Sequence, residues 1–153
     1  MTPTPPNTAK YLSYKAAWGR INQAQAGGFS FEVVTLCESI ISDRLLSFVL
    51  GVAPNMNVNV RASFSDLIKL WRSHASPRPV TKDGSDLISA IDAWRLKRNS
   101  VVHGMTKALP GQPTEPVSTF VERAADAASD GIRLAKEVQS WHRKQLPRKG
   151  VHT

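Results

Sequence analysis

Cysteine is nearly absent from this chain: Cys37 is the only one. A lone thiol excludes an intramolecular disulfide and any zinc site built on cysteine clusters, and it suits a reducing compartment. Long apolar runs are missing as well. No stretch approaches the roughly 20 residues that cross a bilayer. The start, MTPTPPNTAK, lacks the apolar segment of a secretory signal. Together these absences lead us to expect a cytoplasmic protein that does not engage membranes. Acids are the scarcer charge, 12 Asp and Glu against 20 Lys and Arg, which leaves a formal net charge of +8. That imbalance favours a polyanionic partner, RNA or DNA first and an acidic protein second.

What is present reads as one domain. The 153 residues suit a single core, and 41% hydrophobic with 21% charged residues is ordinary for a globular chain. The positive charge is uneven: residues 61–110 carry nine Lys and Arg against four acids, while residues 1–60 carry four against three. We expect a disordered N-terminus over 1–7, a helical domain over 8–145 and a basic flexible tail over 146–153.

Periodicity predicts five helices. The first runs over about 8–26, with Tyr11, Tyr14, Trp18 and Ile21 on one face and AGG at its end. The second covers about 31–50, with Ser30 as its cap, Phe29 and Val34 at the two positions of a hydrophobic staple, and Gly51 as its stop. A short third helix, about 64–73, begins at Ser63 with Asp66 in a capping-box position. The fourth spans about 86–103 and closes at Gly104; the fifth spans about 115–143 and tolerates Gly131. MNVNV at 56–60 alternates like a strand but has nothing to pair with. The expected fold is all-α: an antiparallel up-and-down bundle of four to five helices.

Two arginines interrupt apolar faces. On a helical wheel Arg98 lies near the centre of the face made by Leu87, Ile91, Trp94, Val101 and Val102. Arg44 lies among Cys37, Ile40, Ile41 and Phe48. A guanidinium cannot be buried alone, so each needs an acid, a wet cleft or a subunit interface. Asp92, Asp126 and Glu122 are candidate acids. Beside the Arg98 face runs a polar stripe of Asp92, Asn99 and His103, in which Asn99 and His103 are i, i+4 neighbours. Asn99 can then hold the imidazole and fix its tautomer. Arg98 and His103 diverge on an ideal helix. They converge on one ligand only if the helix bends or ends, and Gly104 offers an end.

The run RNSVVHG at 98–104 resembles the signature of the HEPN superfamily, the higher eukaryotes and prokaryotes nucleotide-binding domains. That signature is an Arg, often followed by a polar residue such as Asn, and then a His four to six residues on, near a helix end. The similarity of overall organisation covers roughly residues 8–145; the motif covers six of them. The resemblance implies a helical homodimer whose two motifs face each other across one cleft. It also implies a metal-independent endoribonuclease, of the kind used as a toxin or phage-defence effector, with an antitoxin or other neutralising protein as a possible partner. Carried over by position, Arg98 and His103 form the catalytic pair and Asn99 orients them. No cofactor and no metal are expected.

The chemistry suits those residue types. RNA carries its own nucleophile, the 2′-hydroxyl, so the enzyme supplies proton transfer and charge. Histidine transfers protons near neutral pH, and the arginine fork grips the non-bridging phosphate oxygens. Arg95 and Lys97 beside the motif, with Arg78 and Lys82 in the basic loop SHASPRPVTKDGS, are candidate RNA contacts. Glu38, Arg44 and Asp92 are candidates to support the catalytic group from behind. His74, His142 and His152 are expected in solvent, Trp71 and Trp94 in the core, and Cys37 in packing. The alternative is a non-catalytic helical dimer that binds RNA, nucleotide or a partner protein as an accessory subunit. A DNA-binding regulator is less favoured, because no helix-turn-helix spacing is visible.

Overall fold

The computed structural model describes residues 6–104 and 108–145, so the expected tail over 146–153 and residues 1–5 lie outside it. Five helices make up the described chain: α1 (Pro6–Gly27), α2 (Ser30–Val52), α3 (Phe64–His74), α4 (Leu87–Gly104) and α5 (Val117–Gln145). The fold is an all-α bundle, as the periodicity predicts, and α1 already includes Pro6 and Asn7.

Helix ends follow local chemistry, with two revisions. Gly28 takes a positive φ of 77°, the amide of Phe29 donates to Ala24 O at 2.8 Å, and that of Gly28 donates to Gln25 O at 3.3 Å. This is the Schellman arrangement, in which glycine accepts the left-handed conformation without a Cβ penalty. It also redirects Phe29. Its ring lies over Gly27, where a Cβ would come within 2.7 Å of it, so Phe29 is 65% exposed and does not staple Val34. Ser30 is not a cap: it is already helical, and Phe29 occupies the cap position without a side-chain bond. At the other end α2 passes through Gly51 to Val52, and the Ala53 amide closes it on Val49 O at 2.8 Å. Ser63 does cap α3, accepting from the Asp66 amide at 3.1 Å. Residues 56–60 form no strand and run as irregular chain between a bend at Met56 and a turn at Val60.

Paired contacts set the helix directions. Lys10 pairs with Asp43 and Arg20 with Glu32, so α1 and α2 run antiparallel. Trp94 bonds to Ala127 and Lys97 to Asp130, while Gly104 lies beside Phe120 and Arg123, so α4 and α5 are antiparallel too. In contrast, Phe31 meets Phe120 and Phe48 meets Trp141, so α2 and α5 run the same way. The non-helical segment 53–63 makes this possible, because it returns the chain along the bundle before α3 begins.

α2 is the hub. It buries Val33, Val34, Cys37, Ile40, Ile41, Leu45, Phe48 and Val49, and it packs against α1, α3, α4 and α5. α5 meets it through a small-residue stripe, Ala124, Ala127, Ala128, Gly131 and Ala135. Gly131 is required rather than merely tolerated. A Cβ there would fall 2.8 Å from Trp94 Cζ2 and 3.3 Å from Cys37 Cβ. The space goes to the Trp94 indole, whose Nε1 donates to Ala127 O at 2.9 Å. A buried indole N–H without an acceptor carries a desolvation cost, as at Trp71, whose Nε1 has no partner. On α1, Ile21 and Ala24 are buried and Tyr14 and Trp18 half-buried, but Tyr11 is exposed, because α1 packs chiefly along α2.

Candidate functional site

The packing of α4 on α2 and α5 decides where each motif residue goes. Leu87, Ile88, Ile91, Trp94 and Val101 are buried on the inner face of α4. Arg98 shares that face, and its guanidinium forms an ion pair with Glu38 of α2. Its Nη1 donates to Asn99 Oδ1 at 2.5 Å. Both charged side chains keep about a fifth of their surface in solvent (20% and 21%), so the pair sits at the wet edge of the core. Nε of Arg98 is buried without a partner. Glu38 is therefore the acid that answers Arg98. Asp92 instead bonds Arg95 on its own helix at 3.0 Å, and Glu122 and Asp126 face outward on α5. A wheel cannot choose among these acids, because the choice depends on which helix lies opposite.

Asn99 is committed to Arg98 through its oxygen, not positioned as the expected support of the imidazole. His103 is exposed in the last turn of α4. It opens onto a groove of about 500 Å³ lined also by Ser100, Gly104, Leu109, Glu115 and Arg123. Arg98 does not line this groove. Within one subunit, then, Arg98, Asn99 and Glu38 come together, and His103 faces a different cation, Arg123.

Sequence reading missed Arg123. Its signal was weak: it falls at the rim of the α5 apolar face, between exposed and buried positions. Its Nη2 donates to Glu115 Oε2 at 2.7 Å, and its guanidinium lies over the Phe120 ring at 5.4 Å. Gly104 makes room for it, since a Cβ at that position would come within 2.9 Å of Arg123 Nη2.

The remaining candidates are scattered. Lys97 bonds Asp130 at 2.9 Å and Arg95 bonds Asp92, so both charges adjoining the motif are locally answered. Arg78 pairs with Asp86 at the base of its loop, and Lys82 is exposed. That loop is ordered by hydrogen bonds: the Ser85 amide donates to Asp83 Oδ1 at 3.0 Å and to Thr81 Oγ1 at 3.1 Å. It precedes Leu87, at the far end of α4 from His103, about 24 Å away at 1.5 Å per residue. Arg78 and Lys82 thus cannot act on the same phosphate as His103.

Arg44 also stands apart. Its guanidinium stacks on the Tyr14 ring at 4.0 Å, and Tyr14 donates to Asp43 Oδ2 at 2.5 Å. Burial first, then that hydrogen bond, raises the Tyr14 pKa well above its usual value. His142 is not in solvent as expected; it is buried, 6% exposed, on the inner face of α5. Burial, and after it the nearby Arg44 charge, lowers its pKa. His74 is half-buried, its Nδ1 2.9 Å from Leu70 O, and His152 lies outside the described residues. Cys37 is fully buried, and burial pushes its thiol up to about 12, which suits packing rather than nucleophilic chemistry.

Among the described residues no group of three or more His, Cys, Asp and Glu is placed to hold a metal ion. Among them, too, no helix is long and apolar enough to cross a membrane. No protein-family model, no curated protein and no solved structure matches this chain.

Proposed function

We propose that this protein is a metal-independent endoribonuclease that works as a homodimer. The observation that carries the reading is His103: a solvent-open imidazole at a helix end, in a groove beside a guanidinium, one turn beyond the fixed Arg98–Asn99–Glu38 cluster. The 2′-hydroxyl of RNA attacks its own 3′-phosphorus. His103 takes the hydroxyl proton, the P–O5′ bond breaks, and an acid protonates the departing 5′-oxygen. The products are a 2′,3′-cyclic phosphate and a 5′-hydroxyl. A second His103, from the other subunit, supplies the acid. Arg98 contributes positive charge at the cleft edge, with Asn99 and Glu38 holding its orientation. Exposed Val102, next to His103 within the motif, offers apolar surface on α4 for pairing with a second copy. A toxin or phage-defence role, with a neutralising protein to restrain it, fits this activity.

Purified protein should cleave RNA in EDTA and sediment as a dimer. His103→Ala should lower the rate on the order of 10²–10⁴-fold, as loss of a general acid–base group does, with the thermal transition unchanged. A wild type that leaves RNA intact, or an alanine variant that cuts as fast as wild type, overturns the reading. One observation favours a second reading, a binding subunit without catalysis. Arg95, Lys97 and Arg98 each already hold an acid. RNA binding without cleavage would select it.

A further inference from the structure

The geometry points to Arg123 as the residue that grips the phosphate on which His103 acts; this rests on the ribonuclease reading. Proton transfer alone does not stabilise the extra negative charge of a pentavalent phosphorus. A cation must stand within reach of the same oxygens. Within the subunit Arg98 does not meet that need, because its guanidinium is turned onto Glu38 and lines no part of the His103 groove. Arg123 does line it.

Three features hold that guanidinium in place. Phe120 supports its face, at 5.4 Å from the ring centroid. Glu115 bonds one terminal nitrogen, at 2.7 Å. Gly104, directly after His103, leaves the space the same nitrogen occupies, since a Cβ would sit 2.9 Å from it. The glycine thus does more than end the helix: it lets a side chain of α5 approach the backbone next to the histidine. Among the described residues no protein group is hydrogen-bonded to Nη1 of Arg123, Nη2 is held by Glu115, and Nε is buried without a partner. The groove, about 500 Å³, is of the size that accommodates a small ligand such as a nucleotide. Glu115 offsets the Arg123 charge while the groove is empty, and a phosphate bound there takes over as counter-ion.

The test uses the full chain and a single-stranded RNA oligomer. Arg123→Ala should lower kcat/KM on the order of 10²–10³-fold, as loss of one transition-state donor does. The loss should fall on both KM and kcat, since the fork holds the phosphate before and during the reaction. Arg123→Lys should recover part of it, since a lysine restores the charge but not the fork. A merely structural arginine would instead show a lowered thermal transition and no rescue that tracks charge. Should the alanine variant fold poorly, Arg123→Gln keeps most of the side-chain bulk. Cleavage at the wild-type kcat/KM by these variants, with His103→Ala inactive, overturns the Arg123 assignment and leaves the ribonuclease reading standing. Binding gives the independent arm. In His103→Ala protein, Arg123→Ala should weaken oligomer affinity about tenfold and reduce the salt slope by about one. Unchanged affinity and slope overturn the assignment whether or not wild type cuts RNA.

Discussion

The two ends of the bundle are built differently. At the end where α2 and α5 finish, aromatic rings close the core: Phe48 and Trp141 meet edge to face at 4.8 Å, and Trp71 lies 5.3 Å from Trp141. His142 and the Arg44–Tyr14–Asp43 cluster complete that end. At the end where α2 and α5 begin, Phe29, Val117 and Val121 are more than half exposed. A cavity of about 330 Å³ lined by Phe29, Phe31, Phe120 and Val121 remains open there. The His103 groove belongs to this second end. Aromatic closure of the core is thus confined to one end, although a groove of about 420 Å³ lined by Arg78, Lys82, Trp141 and Lys144 opens beside it. Buried aromatic area holds the helices at one end, and the other end keeps apolar and charged surface available.

Substitutions at the two ends test that contrast. The largest stability effect should come from Trp71→Ala at the closed end. Trp71 is fully buried, so its removal should cost about 3–5 kcal/mol in denaturant unfolding. A loss below about 1 kcal/mol would mean that the aromatic cluster does not carry the bundle.

A smaller effect should come from pH. The folded-state pKa of His142 lies below the ordinary 6.5 because of burial and then Arg44, with Asp43 opposing. As pH falls, the unfolded chain takes up this proton first. The stability that His142 contributes is therefore complete above about pH 6.5 and declines as pH drops towards the folded pKa. Denaturant curves at about pH 7.5 and pH 5.5 should show wild type losing more stability than His142→Gln. Parallel losses would remove His142 from the account.

The smallest effect belongs to the open end. Phe29→Ser should change monomer stability by no more than about 0.5 kcal/mol, because the ring is largely in solvent. A loss comparable to that of Trp71→Ala would show that both ends bear load and would dissolve the contrast.

Much of the fold was legible along the chain. Phe64, Leu67, Ile68 and Trp71 announce α3 by spacing, Ser63 announces its start, and all four apolar residues are buried. Gly28 ends α1 for the backbone reason that glycine-rich ends usually do. The failures share a cause. Phe29 and Ser30 looked like the entry to α2, but the closing motif of α1 claimed Phe29 first. Gly131 reads along the chain as a lapse in helix propensity, but Trp94 of α4 lies across from it and requires it. His142, beside Arg143 and Lys144, is expected in solvent, yet its spacing from Leu134, Ala135 and Val138 puts it on the buried face. That last signal was readable, and local charge obscured it.

The candidate site divides along the same line. Composition and periodicity alone establish five helices, a basic middle segment, and a histidine five residues beyond an arginine that could not be buried alone. Periodicity does that much, because it assigns each side chain to one side of its own helix. Only tertiary structure decided that Glu38 holds Arg98 and that Arg123 faces His103. Those pairings join α4 to α2 and α4 to α5 across spans of 60 and 20 residues. They depend on how closely the helices approach, and that approach is set by Gly104, Gly131 and the alanines between α2 and α5.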